Sequence, residues 1–392
     1  MAKGLPRLDA GGVWIHGSSV GEARITASLA KAIRQRFPHL SLAASAFTRT
    51  GHAQLLSHTT IDVAFFIPLD FAGFPARAFE ELSPAMLVIV ETELWPNLIH
   101  EAHDAGVPVV TVNGRISPKK MLRYRRLSGL YGPLLRSMAA IGAQSDHDAR
   151  RFVELGAPPA AIQVTGNIKY DLPVPAVDEK RLRGQLGIPV ETPVLVAGST
   201  GPGEEALVLE AFELARATES RLHLIIAPRH PERADEVERL IGQRGLQASR
   251  LSQERGRAAT DADVLLVDTV GRLGELYRLG IAAFVGGSLV PIGGHNVLEP
   301  AAVGVPVLFG PHTDHFAEPA SALESAGGGR RVRDSRELGQ AVTALLRDEA
   351  QRRRMSRSAE QVLSRNRGAI ERTVRMLASV LQRPTAPAEK LP

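Results

Sequence analysis

Two α/β domains, each built on a parallel, Rossmann-like sheet, are the fold the sequence predicts, and three observations predict it. Short apolar runs alternate with amphipathic stretches along most of the chain. A proline-rich segment, Asp171-Leu172-Pro173-Val174-Pro175-Ala176-Val177, interrupts that alternation near the middle. A length of 392 residues is long for one domain and comfortable for two. Strands alternating with helices read as βαβ units, which force parallel neighbours. Two such halves joined by a linker suggest a bilobed protein, with ligands at the carboxyl ends of the strands facing a central cleft.

The elements follow in order. Val13-Trp14-Ile15 is a strand, and the helix after it repeats Ile25, Leu29 and Ile33 at four-residue spacing, so one face is buried. Leu40 to Ala44 and Val63 to Ile67 are strands, with a helix from about Thr50 between them. Met86 to Val90 and Val107 to Val112 flank a helix over Pro96 to Ala105. Ala139 to Ala143 precedes a helix over Asp146 to Leu155. Beyond the linker, the strands are Val194 to Ala197, Leu222 to Ala227, Val264 to Val267, Ala282 to Val285 and Val305 to Phe309. A long arginine-rich helix starts near Ser335. The domains expected are therefore 1–172 and 191–383, with a linker at 173–190 and a disordered tail at 384–392.

Composition narrows the function. Hydrophobic residues make up 44% and charged residues 23%, and the mean hydropathy is −0.04, which excludes a disordered chain and a polytopic membrane protein. The absence of cysteine removes disulfides, thiolate metal sites and a cysteine nucleophile. A net charge of +5 is a mild excess that permits an anionic partner without choosing one. Nucleic acid is disfavoured, because aromatic residues are only 5% and no aromatic-plus-basic platform occurs.

Chemistry-bearing segments fall at strand ends. Gly17 to Glu22 turns from a strand into a helix, whose first amides can hold an anion or hydroxyl. Glu22 there suits a general base, but Ser19 and Glu22 also have the S-x-x-E spacing of a capping box. Glu91-Thr92-Glu93 follows a wholly apolar run; the two carboxylates share a side of the chain and could bind sugar hydroxyls or hold a partner for a cation, or simply form an exposed edge before Pro96 opens a helix. Lys169 sits in a loop where it could neutralise developing negative charge, although a loop lysine is more often simply solvated. Gly198-Ser199-Thr200-Gly201-Pro202-Gly203 matches part of a dinucleotide loop, with Pro202 against it. Pro228-Arg229 ends a strand, and an arginine fork there suits a phosphate. Asn296-Val297-Leu298-Glu299 follows a glycine turn, so its helix amides can take a phosphate and Glu299 a ribose hydroxyl. His312 and His315 lack a third ligand, so no metal site is expected. Lys119, Lys120, Arg123, Arg125 and Arg126 open a basic amphipathic stretch, suited to an anionic membrane or a phosphorylated acceptor, or simply to solvent.

Together, in order, S-V-G-E, E-T-E-L-W-P-N, N-G-R-I-S, G-N-I-K-Y-D, P-R-H-P-E-R, F-V-G-G-S-L, G-G-H-N-V-L-E-P-A and G-P-H resemble the Kdo (3-deoxy-D-manno-oct-2-ulosonic acid) transferases of lipid A biosynthesis. The match runs from about Trp14 to Phe316. It implies a GT-B glycosyltransferase that moves Kdo from CMP-Kdo to the tetraacylated lipid A precursor (lipid IVA), inverting the anomeric centre without a metal or other cofactor. Glu22 occupies the general-base position, and Glu91 and Lys169 match transition-state positions. Pro228 and Arg229, then Val270-Gly271-Arg272, then Asn296 to Glu299 match CMP-binding segments. The segment ending at Arg272 often ends in an acidic residue in the family. The resemblance also implies a C-terminal helix that often returns to the first domain, and a place at the cytoplasmic face of the bacterial inner membrane. Family members usually carry a hydrophobic anchor before the first strand. None stands ahead of Val13, so membrane contact is expected through Lys119 to Arg126, or through a segment outside this chain. Competing readings are another GT-B transferase or epimerase with a different nucleotide, told apart by binding of CMP rather than UDP, and an inert lipid-A-binding paralogue, which loss of the base would favour.

Overall fold

The computed structural model describes residues 5, 7–8, 12–171, 177–253 and 262–383. The chain divides into two compact units, 1–172 with 366–392, and 173–365. The expected tail 384–392, residue 172 and residues 173–176 of the expected linker lie outside the described residues.

The first unit runs β1 (Val13–His16), α1 (Val20–Arg36), β2 (Leu42–Ala46), α2 (Arg49–Leu56), β3 (Val63–Phe66), α3 (Phe74–Leu82), β4 (Met86–Val90), α4 (Pro96–Asp104), β5 (Val109–Gly114), α5 (Pro118–Arg126), α6 (Ser128–Arg136), β6 (Ala140–Ala143), α7 (Asp146–Glu154) and β7 (Ile162–Val164). Among the described residues its strands form one parallel sheet in the order β3-β2-β1-β4-β5-β6-β7. Strand order reverses between β1 and β4. The chain leaves those two neighbours in opposite directions and opens a crevice at their carboxyl ends.

Both faces of this sheet are covered. On one, Trp14 is fully buried, its ring centroid 5.4 Å from Phe65 and 5.0 Å from Phe79, and its indole N–H donates to Ser45 Oγ at 2.8 Å. Truncating such a side chain to alanine costs about 3–5 kcal/mol. On the other face, Ile15, Val88 and Val112 meet Ile25, Leu29 and Ile33 of α1, at the spacing read from the sequence.

The second unit runs α8 (Glu179–Leu186), β8 (Val194–Thr200), α9 (Glu204–Arg216), β9 (His223–Pro228), α10 (Ala234–Gln243), β10 (Ala248–Arg250), β11 (Val264–Leu266), α11 (Leu273–Leu276), β12 (Ala282–Val285), α12 (Leu298–Ala302), β13 (Val307–Phe309), α13 (Ala317–Ser325), β14 (Gly329–Arg331), α14 (Ser335–Arg347) and α15 (Glu349–Asn366). Its parallel sheet has the order β10-β11-β9-β8-β12-β13-β14, reversing between β8 and β12.

Three departures from the sequence reading have physical causes. The long helix from Ser335 is α14, α15 and a third helix, α16 (Ala369–Leu381), broken at Asp348 and at Gly368, whose φ of 87° only glycine adopts readily. Although grouped with the second domain on the boundaries above, α16 belongs to the first unit, as the resemblance implied. Its Val374, Leu377 and Val380 join the cluster around α1, and the Asp171 carboxylate accepts from the amides of Gly368 at 2.8 Å and Ile370 at 2.7 Å. Strands β7, β10 and β14, absent from the reading, are three-residue edge strands with partly exposed or charged residues, too short for a periodic signal.

Candidate active site

The crevice between β1 and β4 brings together Glu22, Glu91 and Glu93. Glu22 lies in the first turn of α1 and forms the capping box. Its amide donates to Ser19 Oγ at 3.3 Å, and its Oε2 accepts from the Ser19 amide at 3.0 Å. The cap does not exhaust the residue. Burial, then the charge of Glu91, with a smaller push from Glu93, raises its pKa to about 7 against the pull of the Ser18 and Ser19 amides. That leaves a carboxylate half-ionised near neutrality, with one oxygen held by a backbone amide.

Glu91 follows β4 with φ 62°, a left-handed conformation that costs a non-glycine residue of order 1 kcal/mol. Lys169 Nζ lies 2.9 Å from Glu91 Oε1. The segment carrying Lys169 is fixed by Asn113, itself at φ 55°, whose Oδ1 accepts from the Ile168 amide at 2.9 Å, and by the Asp171 carboxylate on α16. Glu93 Oε2 accepts from Trp95 Nε1 at 3.0 Å and from Ser18 Oγ at 3.3 Å. Ser18 Oγ is also 3.2 Å from Nε2 of the fully buried His16, whose pKa burial lowers to about 4. With the Ser18 proton on Glu93, His16 holds its own proton on Nε2. His16, Asn113 and Trp95 carried no role in the sequence reading; the strand-end position of His16 and Asn113 was the available signal.

The basic stretch forms α5, part of which reaches toward Glu93 and part of which is solvated. Lys120 Nζ donates to the Thr92 carbonyl at 3.3 Å and lies 3.8 Å from Glu93 Oε1, so it reaches the acidic group. Arg125 pairs with Glu154 at 3.4 Å in solvent. Arg123 and Arg126 line a surface depression with Leu122 and Leu127. The side chain of Lys119 lies outside what is described. Beyond β2 and β3, Phe47, Phe66, Leu69, Phe71 and Phe74 are exposed, Phe71 to 63%. Phe47 sits 5.7 Å from the Trp95 ring, which joins this apolar surface to Glu93.

In the second unit, Pro228 ends β9, and the exposed Arg229 follows, its amide bound to the Thr200 carbonyl at 2.9 Å. Arg229 lies close enough to His295 that, after burial, its charge is the next cause holding that histidine down to about 4, followed by His315 and His230. Asn296 Oδ1 accepts from the Leu298 amide at 3.1 Å, and its Nδ2 donates to Glu299 Oε1 at 3.3 Å. The side chains of Val297 and Leu298 are buried. The structure thus brings Arg229 and the 296–299 turn together around His295. In the 270–272 segment, Val270 is 83% exposed, Gly271 has φ 91°, and Arg272 pairs with Glu275 of its own turn.

The partial dinucleotide loop is closed to phosphate by the chain itself. Glu204 is fully buried, and its carboxylate accepts from the amides of Gly201 at 3.0 Å, Gly287 at 2.6 Å, Ser288 at 3.0 Å and Leu289 at 2.8 Å. Among the described residues no group of three or more His, Asp or Glu could hold a metal, and no helix is long and apolar enough to cross a membrane.

Comparison with known proteins agrees with this layout. Residues 2–172 match the family described as 3-Deoxy-D-manno-octulosonic-acid transferase (kdotransferase). The 3-deoxy-D-manno-octulosonic acid transferase of Haemophilus influenzae is 34% identical over 95% of this chain and 88% of its own length. That of Aquifex aeolicus is 33% identical over 86% of each chain. Two crystal structures share the fold over 96% of this chain: a glycosyltransferase from Rickettsia africae, with 12% identity, TM-score 0.63 and 100% of that chain covered, and S. aureus MnaA with UDP, with 14% identity, TM-score 0.64 and 98% of that chain covered. A two-sheet GT-B architecture, with relatives above 30% identity along nearly its full length, makes this chain a member of the Kdo transferase family and a glycosyltransferase.

Proposed function

We propose that the protein transfers Kdo from CMP-Kdo to lipid IVA in lipopolysaccharide synthesis, with inversion and without a metal ion, using Glu22 as general base. The observation that carries this reading is the Glu22 carboxylate, raised to about 7 beside Glu91 and Glu93 where the first sheet reverses. Glu22 takes the proton of an acceptor hydroxyl as that oxygen attacks the anomeric carbon of Kdo. The bond from that carbon to the CMP phosphate oxygen breaks on the opposite side, and CMP leaves with the electron pair. Glu91 favours the positive charge that develops on the sugar, and Lys169 the negative charge that departs. The first unit is the acceptor side and the second the donor side. There Arg229 and the turn Asn296 to Glu299 hold CMP, with Val270 to Arg272 as a further contact, and arginine and helix amides stabilise a monophosphate leaving group.

The acceptor is an anionic lipid, and the first unit offers it two suitable surfaces. Lys120, Arg123, Arg125 and Arg126, with Lys119, suit phosphates at the cytoplasmic face of the inner membrane, and the exposed phenylalanines near Trp95 suit acyl chains. The test incubates purified protein with CMP-Kdo and lipid IVA, compares it with Glu22→Gln, and reads products by mass spectrometry. The wild type should give products heavier by whole Kdo units, which also counts the sugars added, and Glu22→Gln should give almost none. Undiminished transfer by Glu22→Gln would remove the base assignment; no transfer by the wild type would remove the donor–acceptor assignment.

A further inference from the structure

In the first sheet, the crevice where strand order reverses holds the candidate base. In the second, the corresponding crevice between β8 and β12 is filled from within. The Glu204 carboxylate occupies a nest of amides drawn from two loops, Gly201 from the β8–α9 turn and Gly287, Ser288 and Leu289 from the segment after β12. That is the bonding a phosphate receives in a glycine loop. Gly286 is packed so closely that an added Cβ would stand 2.7 Å from Glu204 Oε2 and 2.5 Å from the Ser199 carbonyl, so the nest admits no larger residue.

The clamped segment is bonded in turn to the donor-side turn. The Gly294 amide donates to the Gly287 carbonyl at 2.7 Å, and the His312 amide to the Ser288 carbonyl at 3.0 Å. Ser288 Oγ accepts from the Gly310 amide at 2.8 Å, and the His315 amide donates to the Gly293 carbonyl at 2.9 Å. An added Cβ on Gly287 would stand 2.9 Å from His295. Two hydrogen bonds, from the Gly287 amide to the Glu204 carboxylate and from the Gly294 amide to the Gly287 carbonyl, therefore link Glu204 to the turn that starts Gly294-His295-Asn296.

We propose that Glu204 is a positioning residue for the donor: an internal carboxylate that takes the place of a phosphate in the β8–β12 amide nest and thereby sets the 293–299 turn against Arg229. The inference rests on the donor assignment made above. Only an acceptor with two charged oxygens satisfies the nest, since a carboxamide turns its NH2 group toward amides that themselves donate.

The experiment measures steady-state transfer by the full-length protein and by Glu204→Gln, Glu204→Asp and Glu204→Ala, with CMP-Kdo varied at saturating lipid IVA. Glu204→Gln should raise KM for CMP-Kdo about tenfold with kcat within about threefold, and Glu204→Asp should restore most of the loss. Formate added to Glu204→Ala should lower KM by refilling the nest, whereas neutral formamide should not. An unchanged KM in a folded Glu204→Gln overturns the proposal. So does an equal fall in kcat and kcat/KM in every variant with no response to formate, which marks a purely structural residue. If Glu204→Gln does not fold, the aspartate variant and the formate response decide in the same way. Transfer by the wild type in the same assay separates these outcomes from failure of the donor assignment.

Discussion

Lys169 Nζ lies 2.9 Å from Glu91 Oε1, and that pair stands beside Glu22, whose proton affinity the charge of Glu91 raises. The lysine therefore shields the candidate base from its neighbour. Lys169→Met leaves the Glu91 charge uncompensated and should move the acid limb of the kcat/KM profile to higher pH; Glu91→Gln should move it lower. Each shift is expected to be about half a pH unit to one unit, on top of any fall in rate. Profiles that do not move in either variant would break the electrostatic link to Glu22.

Glu22→Gln should lose about 10²- to 10⁴-fold in rate yet gain stability. Glutamine at the third helical position still closes the capping box. The folded-state pKa, about 7, lies above the ordinary 4.5, so between those values the folded protein binds more protons than the unfolded chain. The contribution of Glu22 to stability is thus complete below pH 4.5 and is lost as pH rises through 7. At pH 8 the glutamine variant should be more stable by on the order of 2 kcal/mol in urea denaturation, and the gap should close toward pH 5.

Asp171→Ala removes the carboxylate that caps α16 at Gly368 and Ile370. The expected cost is about 2 kcal/mol, with faster proteolysis after residue 366 in the native state. Because Asp171 closes the same short helix that carries Lys169, transfer should slow as well. Intact α16 protection in the variant would show that apolar packing alone holds the helix.

Acid should weaken the protein through histidines rather than carboxylates alone. Burial lowers His16, His223 and His295 to about 4 from the ordinary 6.5. In that window the unfolded chain binds more protons, so their contribution is complete above pH 6.5 and is lost as pH falls toward 4. His223→Gln should flatten this dependence by about 2 kcal/mol, measured by chemical denaturation at pH 7 and 4.5. An unchanged slope would place the acid sensitivity elsewhere.

Legibility in the sequence followed the length of the signal. Met86 to Val90 and Ala282 to Val285 were readable to the residue, because central parallel strands are buried on both faces and so are continuously apolar. Gly329–Arg331 could not be read, since an edge strand of three residues has neither run nor alternation. At the site, Glu22, Glu91, Lys169 and Arg229 were visible as charged residues at strand ends. Glu204 was not, because glutamates beginning a helix usually face solvent, and nothing local distinguishes one that turns inward.

The order of apolar runs and turns was enough by itself to determine two parallel α/β domains, because βαβ chirality and strand burial are local rules repeated along the chain, and the ordered motifs carried the resemblance to the family. Tertiary structure alone decided how charge is treated. It set Glu22 beside Glu91 and Glu93, paired Lys169 with Glu91, capped α16 with a carboxylate almost two hundred residues away, and gave Glu204 the amides of two separate loops. Desolvation and Coulomb energies depend on distances that exist only once distant strands lie side by side, and no spacing along one strand encodes them.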